Sequence, residues 1–163
     1  MFLGKKMWIT SAAMALGLLL LISVANAEQP YDITTCGSGT NEILFSSEDF
    51  TVLSLESKGI TRSNHENKAF DNNTFHCMGV IQVANGKPEG SMFCKFLDPD
   101  GDVTIGISTV DGPEGTWEFV HGTGKWQGIT GGGKNWPITQ GKAVAPGTFQ
   151  GCRKATGTFK LPQ

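Results

Sequence analysis

Between Phe50 and Leu97 apolar and polar residues follow one another with a period of two. Phe75, Gly79, Ile81 and Val83 alternate with Met78 and Val80, and Met92 and Phe96 alternate with Phe93 and Leu97. That period marks β-strands, and no stretch of the chain after residue 27 carries the spacing of an amphipathic helix. Strand runs are expected at Glu42 to Ser46, Phe50 to Glu56, Thr74 to Ala84, Ser91 to Leu97, Val103 to Thr109, Thr116 to His121, Pro137 to Ala145 and Gly147 to Lys160. Asn85-Gly86, Pro99-Asp100-Gly101, Asp111-Gly112-Pro113 and Pro146-Gly147 separate them with the residues that chain reversals require. Consecutive short connections imply antiparallel neighbours in up-and-down order, and a barrel removes the exposed edges of such a sheet. The expected fold is an all-β, eight-stranded antiparallel up-and-down barrel. Apolar residues on both faces of several strands call for a subunit interface, a covering helix or tail, or an interior cavity with a packed exterior, and the absence of expected helices favours a homo-oligomer.

The first segment differs in kind. Lys5 and Lys6 precede an apolar stretch from about Ala12 to Val24 that ends in Ala25-Asn26-Ala27, the pattern of a secretory signal peptide. Its apolar core is shorter than the roughly 20 residues of a membrane span. Residues 1–27 are therefore expected to be removed, leaving residues 28–163 as one barrel domain in the periplasm or the medium, with no membrane attachment. Losing the two lysines turns the formal charge from −2 to −4. A mildly acidic surface without a basic run gives nucleic acid no electrostatic foothold.

All four cysteines, Cys36, Cys77, Cys94 and Cys152, lie beyond that segment. An oxidising compartment makes disulfides the expected state, and four cysteines allow three pairings. Asn85-Gly86 is a strong two-residue hairpin signal, and Cys77 and Cys94 are equidistant from it, so the turn sets them opposite each other. Cys36 would then join Cys152 and tie the ends of the domain together. A loop lengthened by Lys87-Pro88 would slip this register.

The run from His121 to Gly133 imitates nucleotide-binding loops. Gly128 to Lys134 has the spacing of a phosphate-binding loop, but Asn135 stands where a Ser or Thr must reach magnesium, and Trp136-Pro137 blocks the helix that should follow. Gly122-Thr123-Gly124 fails the dinucleotide fingerprint, since Gln127 replaces the third glycine and no βαβ unit surrounds it. What remains is a strand, Trp117 to His121, a glycine turn, and a second strand through Trp126 and Ile129. No cofactor and no metal site are expected. Asp98, Asp100 and Asp102 lack the later glycine and glutamate of a calcium loop and read as a solvated turn. His65, His76 and His121 show no zinc spacing.

Gly122-Thr123-Gly124-Lys125-Trp126, followed by Gly128-Ile129-Thr130-Gly131, resembles the signature of the allene oxide cyclase-like barrel proteins, which have the plant dirigent proteins as structural relatives. The closing Gly157-Thr158-Phe159-Lys160-Leu161-Pro162 is similar to the last strand of bacterial members. The resemblance covers about residues 115 to 133 and 155 to 162. It implies a calycin-like barrel, often trimeric, with an apolar pocket at one end. In the plant cyclase that pocket controls ring closure of an unstable fatty-acid epoxide, and in dirigent proteins it steers phenolic intermediates. The glycines are a folding signature there and carry no catalytic residue to this chain.

Three functions stay open. The first is a barrel that binds a small apolar or aromatic ligand, with Trp117, Phe119, Trp126 and Trp136 as lining residues and His121, on the strand face of Trp117 and Phe119, as an acid, base or hydrogen-bond donor. The second is a cyclase or isomerase that folds a reactive hydrophobic substrate by proximity and orientation. The third is a structural or partner-binding protein whose barrel is filled by side chains. Lys58 to Asn73, the longest polar connection, is a surface loop or a lid. The volume and lining of the barrel interior distinguish these readings.

Overall fold

The computed structural model describes residues 27–162, so the expected leader lies outside the described residues except for Ala27. Eight strands follow in order: β1 (Gln29–Ser46), β2 (Phe50–Ser63), β3 (Thr74–Ala84), β4 (Lys87–Leu97), β5 (Val103–Asp111), β6 (Glu114–Gly122), β7 (Thr130–Gln140) and β8 (Thr148–Lys160). Each pairs antiparallel with its neighbour in sequence, and β8 returns to β1 with Gln29 opposite Phe159 and Thr40 opposite Thr148. The sheet is a closed up-and-down barrel, and closure gives every strand a neighbour on each side.

The alternation of each strand sorts side chains into an inner and an outer set. Tyr31, Ile33 and Thr35 of β1, Phe75, Cys77 and Ile81 of β3, and Arg153 and Ala155 of β8 line the interior. On the outside, Asp32 meets Lys154 at 3.0 Å and Glu56 meets His76 at 2.8 Å. The outer face also carries apolar residues: Met78 lies opposite Phe93, and Phe93 opposite Ile107, with Met78 and Phe93 more than half exposed.

Several boundaries differ from the pattern-based expectation; the strand expected at Pro137 to Ala145 ends at Gln140, because the following residues form a turn closed by the Thr148 N–H on the Ala145 carbonyl. β1 begins at Gln29 instead of Glu42, because its inward positions include Thr35, Gly37 and Gly39, which give no apolar alternation. β2 continues from Glu56 through Ser63, so the polar connection shrinks to residues 64–73. The strand expected through Trp126 and Ile129 is a turn of 3-10 helix, Gly124–Trp126, and β7 starts at Thr130. Gly124 has a φ of 51°, and a Cβ there would lie 1.8 Å from the Asp102 carboxylate, so this turn takes only glycine at that position.

Both disulfides form as expected, Cys36 with Cys152 and Cys77 with Cys94. The β1–β8 register sets Cys36 opposite Cys152, and the Asn85-Gly86 hairpin sets Cys77 opposite Cys94. Cys36 shares the outward parity of Asp32 and Thr34, whereas Cys77 and Cys94 are buried in the wall of the interior. The sequence separations are 116 and 17 residues. Loop-closure entropy grows with the logarithm of that length. Replacing Cys36 and Cys152 together by Ala is therefore expected to destabilise the protein by about 1.5 kcal/mol more than replacing Cys77 and Cys94, as read from denaturant unfolding of the two double variants.

Candidate functional site

The barrel is closed at one end by aromatic packing. Phe70, from the connection between β2 and β3, sits among four rings: it stacks on Trp126 at 4.7 Å and on Phe119 at 5.3 Å, and meets Phe159 at 5.2 Å and Tyr31 at 5.7 Å edge-on. Ile33, Ile129 and Ala155 complete this core. The connection expected as a surface loop or lid is largely exposed, but it turns Phe70 inward to complete the barrel's floor. Its backbone takes positive φ at Lys68 (53°), Phe70 (60°) and Asn72 (58°), a conformation costing about 1–2 kcal/mol per residue. Thr61, fully buried, holds the loop in place: its hydroxyl donates to the Phe70 carbonyl and accepts from the Asn73 N–H at 3.2 Å.

Asp98 fastens Trp126 from the other side. Its carboxylate accepts from the indole Nε1 at 2.8 Å and from the N–H groups of Asp100 and Asp102 at 2.8 and 3.0 Å, and pairs with Lys125 Nζ at 2.8 Å. Burial pushes this carboxyl up. The hydrogen bonds from Lys125, Trp126 and the two amides outweigh that effect and hold it below the ordinary carboxylate range. The turn read as solvated thus contains a carboxylate only 2% exposed, because Trp126 brings its one polar atom down onto it. The glycine-rich run clamps the floor.

Above the floor lies a cavity of about 470 Å³, within the usual size range of small-molecule sites. Its walls are mainly apolar, with Phe75, Ile81, Met92, Phe96, Trp117 and Phe119. Trp117 lies across β5 at Gly106, where a Cβ would stand 2.2 Å from the indole Cζ2. Its ring meets Phe96 and Phe119 edge-on at 5.3 and 5.7 Å. The far end, reached by Pro88, Val110, Gln140 and Phe149, has no comparable plug among the described residues.

A few polar groups face this apolar space. Arg153 Nε donates to Asn135 Oδ1 at 2.9 Å, and the Asn135 amide donates to the Thr116 carbonyl at 3.2 Å and to Ser108 Oγ at 3.4 Å. Arg153 Nη2, Tyr31 Oη and Thr104 Oγ1 are buried without a hydrogen-bond partner. Burial pushes the Tyr31 phenol up and the Arg153 guanidinium down from their ordinary values.

Of the residues expected at a site, Trp117 and Phe119 line the cavity and Trp126 lies in its floor. His121 and Trp136 do not reach it. Gly106 pairs with Phe119 and Ile105 with His121, so Val120 is a bulge, and the extra residue turns His121 outward into solvent. Trp136, on the outward side of β7, borders a shallow groove with Pro113 and Glu114. Sequence reasoning missed Tyr31, Phe70, Thr104, Asn135 and Arg153. Only the inward parity of β8, from Arg153 to Ala155 and Phe159, offered a signal for any of them.

No family model matches the sequence, and no curated protein matches it. Among solved structures, the pterocarpan synthase dirigent protein GePTS1 is similar to this chain over 98% of this chain and 100% of that one, at 11% sequence identity and a TM-score of 0.47. At that level of likeness the barrel is established by its own strand order and registers.

Phe70→Ala is expected to destabilise the protein by about 3–5 kcal/mol, measured by urea unfolding, since it removes the ring on which four others pack. Asp98→Asn should cost about 1.5–3 kcal/mol at pH 7. With its folded pKa held low, Asp98 contributes fully above about pH 4, and that contribution is lost as pH falls through the folded value. The variant should therefore lose less stability than the parent between pH 4 and pH 2, and parallel curves would show that Asp98 carries no such linkage.

Proposed function

We propose that this protein is an exported barrel that binds a small apolar or aromatic ligand in its interior, with Trp117 and Phe119 at the wall and Trp126 beneath. The observation that carries this reading is the 470 Å³ cavity, walled by apolar side chains and stoppered at one end only. A barrel filled by its own side chains does not fit such a volume. The resemblance of the glycine-rich run to the allene oxide cyclase-like proteins supports the same reading, because the pocket is the working part of those barrels. Export to the periplasm or medium is supported by the leader pattern and by two disulfides.

A cyclase or isomerase is the second reading. It is favoured by the unpartnered Tyr31 hydroxyl and Thr104 hydroxyl facing apolar walls, since a confined reactive substrate needs orientation and a few fixed dipoles more than a strong acid or base. The apolar outer face around Met78, Phe93 and Ile107 supports a homo-oligomer, and the resemblance implies a trimer.

Apolar aromatic probes such as naphthalene derivatives are expected to change the fluorescence of the tryptophans saturably, with one site per chain. Trp117→Ala should weaken binding about tenfold or more, the loss of one large aromatic contact, while His121→Ala leaves it unchanged. Saturable binding that is indifferent to Trp117 would place the ligand outside the barrel.

A further inference from the structure

Among the described residues Arg153 is the one charged side chain in the cavity wall. Within the same set its side chain bonds only to the neutral amide of Asn135, its Nη2 is buried and unpaired, and no Asp or Glu lines the cavity. None of the ion pairs formed by the described residues includes it. A guanidinium does not shed its proton near neutral pH, so the charge is not relieved by neutralisation. Arg153 is partly buried, with its Nη2 fully so; withdrawing a cation from water without a counter-charge is unfavourable, and a long arginine normally avoids this by reaching for solvent. Here the Asn135 amide, itself tied to Thr116 and Ser108, holds the head group inward. The other two unpaired groups of the wall, Tyr31 Oη and Thr104 Oγ1, are hydroxyls able to donate. What the cavity lacks is an acceptor that carries negative charge.

We propose that the ligand is a monocarboxylic acid, its carboxylate accepting hydrogen bonds from Arg153 and its apolar or aromatic body lying against Trp117, Phe75 and Phe96. The inference rests on the ligand-binding reading and names its chemical class. One cation in an apolar wall matches one negative charge, whereas a phosphate dianion would bring in a second charge with nothing to meet it. Charge-assisted hydrogen bonds to a carboxylate are about twice as strong as neutral ones, so the acid is distinguished from a neutral analogue of the same shape.

The test is a matched pair with one carbon skeleton, 6-phenylhexanoate and 6-phenylhexan-1-ol, titrated calorimetrically at pH 7 into the protein and into Arg153→Met and Arg153→Gln. The parent is expected to bind the acid at least about tenfold more tightly than the alcohol, a difference of about 1.4 kcal/mol. Both variants should bring the two affinities within about twofold, chiefly by weakening the acid. Arg153→Gln retains an amide for Asn135, so the comparison survives if the methionine variant does not fold. Equal affinities in the parent overturn carboxylate recognition and leave the ligand-binding reading standing. A preference for the acid that persists in both variants also overturns it, by assigning the charge to another cation. Binding of neither compound overturns both readings together.

Discussion

Closure of the sheet is the constraint on which the rest of the molecule depends. Once β8 pairs with β1, every strand has two neighbours and the number of residues around the ring is set. The inner and outer parity of any strand can then change only through a bulge. The Cys36–Cys152 bridge lies across that closing seam, and Cys77–Cys94 spans the β3–β4 hairpin within the wall. The β1–β8 seam leaves no open edge over residues 29–40, whereas the Glu42–Ser46 end of β1 pairs with β2 alone.

A closed ring of eight strands encloses a fixed space, and the side chains pointing inward decide whether that space is packed or hollow. At one end they are large. Tyr31, Phe119 and Phe159 come from the strands, and Trp126 and Phe70 are brought in by the 3-10 turn and the β2–β3 connection. Through the middle large rings lie over positions without side chains, Phe75 over Gly37 and Gly59 and Trp117 over Gly106, while Thr35, Ser57 and Ser108 beside them are small. The cavity is the space that this mixture leaves unfilled. Trp117 fits only because Gly106 leaves room beneath its ring.

The two ends of the interior also differ in how their polar atoms are treated. In the floor the buried Asp98 carboxylate is saturated by an indole, two backbone amides and a lysine, so it stabilises the site that it clamps. In the cavity a partly buried guanidinium has one neutral partner and two buried hydroxyls have none. A fully satisfied network holds a structure in place, while an unsatisfied one marks where something else completes it. The contrast sets a network that serves folding apart from cavity groups that folding leaves unsatisfied.

The number of strands, their antiparallel order and both cysteine pairings were legible in the sequence, because period-two alternation and the Asn85-Gly86 turn are local signals that closure only confirms. Rejection of the nucleotide-binding readings was equally local, resting on Asn135, Trp136 and Pro137. The extension of β1 through Thr35, Gly37 and Gly39 was invisible for a reason tied to the cavity: the part of a strand that faces open space needs no apolar inward residues. The outward turn of His121 depends on one unpaired residue, Val120, which no periodicity reveals. The convergence of Arg153, Asn135, Tyr31 and Thr104 joins strands far apart in the chain, and burial of Phe70 and Asp98 depends on ring contacts made after the barrel closes. Local pattern determined the wall of this protein; only the packing of distant segments decided what the wall encloses.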